Sequence, residues 1–152
     1  MGFSNIKDIV KEIEKIAQEG LKTKVADDVK KVIIENASKG VYEAYNPSVH
    51  IRQNRLSNES NLQVDSKNKY VSIYYIQSLG YYDMEERYSQ SISSYIPTDV
   101  VLDRFASGEV WGPNNTLLKP SPFFKNAKDE VLDKKIHIKS MKNYLSQYFT
   151  IK

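Results

Sequence analysis

Leu62-Gln63-Val64-Asp65-Ser66-Lys67-Asn68-Lys69-Tyr70-Val71-Ser72-Ile73-Tyr74-Tyr75-Ile76 is the stretch on which the fold turns. Leu62 and Val64 lead into a polar segment, Asp65 to Asn68. The run from Tyr70 to Leu79 is then β-branched and aromatic, with Val71, Ile73 and Tyr75 in partial alternation. This pattern predicts a hairpin turning near Ser66 to Asn68. Tyr74 and Ile76 stand against Ile73 and Tyr75, so the second strand carries apolar groups on both sides. One side is therefore expected to face another protein rather than water.

Upstream the chain reads as helix. Ile6, Ile9, Val10, Ile13, Ile16 and Ala17 recur at spacings of three and four, the mark of one apolar helical face, with Ser4 or Asn5 as N-cap. Gly20 interrupts the pattern, and Leu21, Val25, Val29, Val32, Ile33 and Ala37 restart it slightly rotated. The spacing fits either one long helix bent at Gly20 or two helices with a short break. Val41 and Ala44 keep the period, and Pro47 bars Asn46 from helix geometry, so the end is expected between Gly40 and Pro47. From Pro47 to Asn61 the sequence is polar and irregular, an exposed loop by composition.

Downstream, residues 80–97 form a tyrosine-rich connection, long for a loop inside a compact domain. Thr98 or Asp99 caps a short helix with Val101, Leu102 and Phe105 inward, ending at Gly108. A turn-rich stretch from Gly108 to Asn115 follows. Ser121-Pro122 then opens the last helix, serine as N-cap and proline at the first helical position. Its apolar positions are Phe124, Ala127, Val131, Ile138, Met141, Leu145 and Tyr148, in step with a seven-residue repeat except at Lys134. The expected fold class is α+β: a long N-terminal helix and a C-terminal helix packed on a small antiparallel sheet, with long loops. The 152 residues are expected to form a single domain in three parts, 1–46, 47–97 and 98–152.

Composition narrows the function classes. The chain is 40% hydrophobic and 27% charged, a globular balance, and no apolar run approaches the roughly 20 residues of a membrane helix. Residues 1–6 lack a basic region followed by an apolar stretch, so no secretory signal is expected. The absence of cysteine excludes disulfides, thiolate metal sites and a cysteine nucleophile. Eleven tyrosines against one tryptophan and five phenylalanines favour strands and interfaces, since the ring buries area while the hydroxyl keeps a polar partner. The net charge of +3 is uneven: residues 117–152 hold eight lysines and three acidic residues, the remainder a slight acidic excess. A basic end of this kind is either a solvated helix face or a contact to an acidic surface or nucleic acid.

No catalytic constellation emerges, and the chain is expected not to be an enzyme, with no cofactor and no metal. His50 and His137 are the only histidines, too few for a zinc site and far apart in sequence. Asp83, Glu85 and Glu86 lack the alternate-position spacing and glycine of a calcium loop. No serine stands in a Gly-x-Ser-x-Gly context, and six glycines include no phosphate loop. Arg52, Arg55, Lys67 and Lys69 with nearby tyrosines have the chemistry to hold phosphates and stack bases, without the signature of a known nucleic-acid module.

Three segments carry a family likeness. The N-terminal helix runs into Val41-Tyr42-Glu43-Ala44-Tyr45-Asn46-Pro47. Arg52 to Leu62 follows as a loop before a strand. Pro120-Ser121-Pro122-Phe123-Phe124-Lys125-Asn126-Ala127 opens the last helix, with Phe105 to Trp111 upstream of it. In these the chain resembles the tail-completion or head–tail joining (neck) proteins of long-tailed bacteriophages and prophages. It departs from them at Ser57-Asn58-Glu59-Ser60, where relatives carry glycines. The resemblance implies a virion protein assembled in the bacterial host cytoplasm. Such a protein forms a homo-oligomeric ring at the neck or the tail end, between head-completion, tail-tube and terminator proteins, with DNA only as passing cargo. It implies no catalytic residues. Interface candidates are Arg52 and Arg55 in the loop and Tyr74, Tyr81, Tyr82 and Tyr95. Rival readings are a small adaptor of a mobile element that binds a protein partner, or a weak DNA-binding protein.

Overall fold

The computed structural model describes residues 5–43, 55–67, 70–76, 81–83, 94–96, 98–107 and 120–149. The predicted helix exit at 44–47, Arg52, most of the 80–97 connection and the turn at 108–119 lie outside them. The fold is α+β, as the hairpin and its flanking helices predict.

Helix α1 spans Ile6–Gly20 and is capped by Asn5, whose side-chain oxygen accepts a 3.0 Å hydrogen bond from the Asp8 amide. A π-helical segment, Leu21–Val25, joins it to α2 at Ala26–Ala37, and a second π-helical segment covers Ser38–Glu43. Gly20, Leu21, Val25 and Ala26 all keep right-handed helical angles, so the helical path is continuous, and its pitch changes directly after Gly20. The wider turns have a cause in the sequence. Ala17, Leu21, Val25, Val29, Ile33, Ala37 and Val41 follow one another at steps of four. Each such step overshoots an α-turn by about 40°, and π-turns take up the excess. Gly20 serves a different purpose: a Cβ there would lie 2.5 Å from Cδ1 of Tyr144.

The hairpin is β1 (Leu62–Lys67) and β2 (Tyr70–Tyr75), antiparallel, with Leu62 opposite Tyr75, Val64 opposite Ile73 and Lys67 opposite Tyr70. Its inner face begins with buried Leu62 and Tyr75. The outer face pairs Gln63 with Tyr74 and Lys67 with Tyr70, both tyrosines exposed. A second antiparallel pair, β3 (Tyr81–Asp83) and β4 (Ser94–Ile96), forms its own two-stranded sheet. Helix α3 (Thr98–Ser107) is tied to the end of β2 by the buried Thr98 hydroxyl, which donates to the Ile76 carbonyl at 3.0 Å.

The polar stretch before β1 is more ordered than its composition suggests. Arg55–Ser57 and Glu59–Asn61 are two 3-10 turns, and Leu56 between polar neighbours is buried. The Leu56 amide donates to the Tyr42 hydroxyl at 2.8 Å, and its carbonyl accepts from the Tyr75 hydroxyl at 2.6 Å.

The last helix is two. Helix α4 spans Phe123–Asp133 and α5 spans Ile136–Leu145, parted at Lys134–Lys135, where Lys135 takes φ 52°. Lys134, out of step in the apolar repeat, marks that break. The expected cap is also displaced: helical angles begin at Phe123, Pro122 occupies the cap position, and Ser121 makes no capping bond. Its hydroxyl is buried against Gly40.

The core joins Val32, Ile33, Ala37 and Val41 to Leu56, Leu62 and Tyr75, and to Phe123, Ala127 and Val131 of α4. Tyr75 meets Phe123 and Phe124 edge-on, at centroid distances of 6.4 and 5.9 Å, a favoured aromatic geometry. Asn36 of α2 donates to Glu130 of α4 at 2.8 Å, and Ser140 of α5 donates to Asp28 of α2 at 2.6 Å. Thus α2 holds both C-terminal helices, and α1 meets α5 where Gly20 lies against the ring of Tyr144.

Candidate assembly surfaces

Two apolar surfaces stand out among the described residues. The first is the stripe of α1. Ile6, Ile9, Val10 and Ile13 are exposed, Ile6 at 78% and Ile13 at 43% of full accessibility. At the other end of the helix the stripe is half-buried, with Ile16 and Ala17 partly covered and Gln18 donating to Ser66 of β1 at 3.2 Å. At 100° per residue, Glu12 and Glu19 fall along one border of the stripe.

The second is a groove of about 670 Å³ between α2, β2 and α4. Val29 and Ile33 form its α2 wall, Val71 and Ile73 the β2 wall, and Phe124, Val131 and Leu132 the α4 wall. It exists because the helices close over only one end of the inner hairpin face. Tyr75 is sealed by the two phenylalanines, whereas Val71 and Ile73, nearer the turn, stay half-buried. Lys125 and Lys128 line the same groove. Among the described residues neither is in an ion pair. The paired apolar residues of α4 explain its two faces: Phe123 and Val131 enter the core, while Phe124 and Leu132, the latter 51% exposed, turn to the groove.

The electrostatics around α2 are structural. Burial alone would raise the Asp28 carboxyl, but hydrogen bonds from Ser140 and Lys24 and the charges of Lys24 and Lys31 outweigh it, so it sits below its ordinary value. Glu130 is lowered by hydrogen bonds from Lys134 and Asn36. His137 has its Nδ1 3.3 Å from the Val131 carbonyl, beside the helix break. Among the described residues, no three His, Asp or Glu side chains are grouped to hold a metal ion, and no helix is long and apolar enough to cross a membrane.

The residues singled out from sequence are scattered with respect to these surfaces. Tyr74 is exposed on the outer face of β2, away from the groove. Arg55 is exposed at the start of a 3-10 turn, and its carbonyl accepts from the Asn61 amide group at 2.8 Å. Tyr82 and Tyr95 are partners across the β3–β4 ladder, and Tyr81 pairs with Ile96. Arg52 lies outside the described residues, as do the side chains of Tyr81, Tyr82 and Tyr95. The apolar second strand anticipates a contact face without choosing its side, and the structure sets Val71 and Ile73 in the groove, whereas Phe124 and Leu132 are not among the interface candidates. The doubled apolar positions 123/124 and 131/132 were the available signal.

No curated protein and no solved structure matches the chain. A family model described as YomN matches residues 5–147, from the cap of α1 to just beyond the end of α5. That is a Bacillus prophage protein name and points to a phage-derived protein. With nearly its whole length matched, the chain belongs to the YomN family.

Proposed function

We propose that the protein is a non-enzymatic structural component of a tailed phage or phage-derived particle, assembling as a ring at the head–tail neck or at the tail end. The observation that supports this most is the pair of unlike apolar surfaces on one small subunit, the α1 stripe and the α2–β2–α4 groove. A monomer rarely leaves such patches uncovered without a partner, and unlike patches suit head-to-tail contacts that close by rotation. In this reading the partners are further copies of the chain and the virion proteins above and below. DNA passes as cargo, and the residence is the virion after assembly in the host cytoplasm.

The test is the native mass by light scattering across a range of concentrations, with mass-spectrometric detection of the chain in purified particles. A closed oligomer found in particles is the expected result. A strict monomer that is absent from particles sinks the proposal.

A further inference from the structure

We infer that α1 of one subunit docks in the α2–β2–α4 groove of the next copy, so that each chain gives a helix to one neighbour and takes one from the other. This deepens the ring reading and rests on it.

The chemistries of the two surfaces match. The stripe offers aliphatic side chains, Ile6, Ile9, Val10 and Ile13, exposed to water. The groove offers aliphatic and aromatic walls. Charge agrees as well: the exposed stripe is bordered by Glu12, and the groove carries Lys125 and Lys128, spaced to lie on one side of α4. The match of acidic border to basic groove favours a second copy of this chain over an arbitrary apolar ligand.

The contact has to be made between chains. The helical path runs without a break from Ile6 to Ala37 and beyond. Ile6 therefore lies roughly 35 Å along the axis from Val29, and Ile13 about 24 Å. A continuous helix does not fold back on itself over such a distance, so a subunit's own stripe does not fill its own groove. Two different patches meeting between copies make a heterologous contact, which yields a ring where the rotation closes and a filament where it does not.

The chain has no cysteine, so introduced thiols report this contact alone. Ile9→Cys and Leu132→Cys are made separately, both at exposed positions, then mixed and oxidised. The expected result is a disulfide-linked dimer joining one variant to the other, well in excess of either self-linked dimer, with circular dichroism unchanged. A dominant Ile9→Cys self-dimer means that α1 pairs with α1 and overturns the inference. An intact oligomer without the mixed disulfide overturns the inference and leaves the ring reading standing. Strictly monomeric protein without it, absent from particles, sinks both.

Charge reversal gives a second readout. Lys125→Glu with Lys128→Glu is expected to weaken self-association tenfold or more, and Glu12→Lys in the same chain to restore part of it. Weakening without restoration removes the charge match and, with it, the assignment of the occupant.

Discussion

The hydroxyl of Tyr75 donates a 2.6 Å hydrogen bond to the carbonyl of Leu56, nineteen positions earlier. Because the Leu56 amide donates in turn to Tyr42, one short turn is fastened to the helix on one side and to the hairpin on the other. Burial drives the Tyr75 phenol well above its ordinary value, so it remains a donor across the accessible pH range. Tyr75→Phe keeps the ring and its contacts with Phe123 and Phe124 but strands a buried carbonyl. The expected loss is about 1–3 kcal/mol, read as a lower urea midpoint at unchanged slope. An unchanged midpoint refutes the fastening.

Gly20 and Tyr144 form a second coupled pair. In an exposed helix interior, Gly→Ala usually gains about 1 kcal/mol. Here the new methyl group meets the ring of Tyr144, and Gly20→Ala is expected to destabilise by about 1–2 kcal/mol through overpacking. In a Tyr144→Ala background the same change should become neutral or favourable. A double-mutant cycle by thermal melting decides, and additive effects would contradict the contact.

Lys135 adopts a left-handed conformation that L-residues take at a cost. Lys135→Gly is expected to stabilise by about 0.5–1 kcal/mol, since the conformation suits glycine. Calorimetry showing a lower melting temperature would mean that the Lys135 side chain contributes more than its backbone strain costs.

Much of this architecture is written in local patterns. The alternation of Val71, Ile73 and Tyr75 foretells the hairpin but not its register, since Ser66 and Lys67, expected in the turn, pair with Val71 and Tyr70; Thr98 with Leu102 and Phe105 foretells α3. Periodicity shows that α1 is amphipathic, yet it carries no information about what covers the stripe, so an open face and a core-facing one look alike. Leu56 escapes notice for another reason: one apolar residue among polar neighbours has no period, and its burial depends on Tyr42 and Tyr75 from distant segments. The break at Lys134–Lys135 leaves only one misplaced lysine in an otherwise regular repeat.

Acid should loosen the helical packing. Asp28 and Glu130 are both lowered in the folded state. Their stabilisation is complete above the unfolded carboxylate range near pH 4 and is lost as pH falls through the lower folded values. Urea midpoints measured from about pH 6 to pH 2 should fall across this window. Asp28→Asn should be less stable near neutrality and show a shallower fall on acidification. An Asp28→Asn curve parallel to that of the unchanged protein would show that the carboxylate held by Ser140 and Lys24 does not set the acid response.

The π-helical segment Leu21–Val25 acts as an indexing joint between two halves of one rod. The lower half carries the stripe offered outward, and the upper half carries the stripe that nucleates the subunit's own interior. Removing a single residue from the joint would turn one half against the other by about 100° without altering either sequence of side chains. The compass bearing of the exposed stripe is thus stored in the length of the five residues that link the two halves.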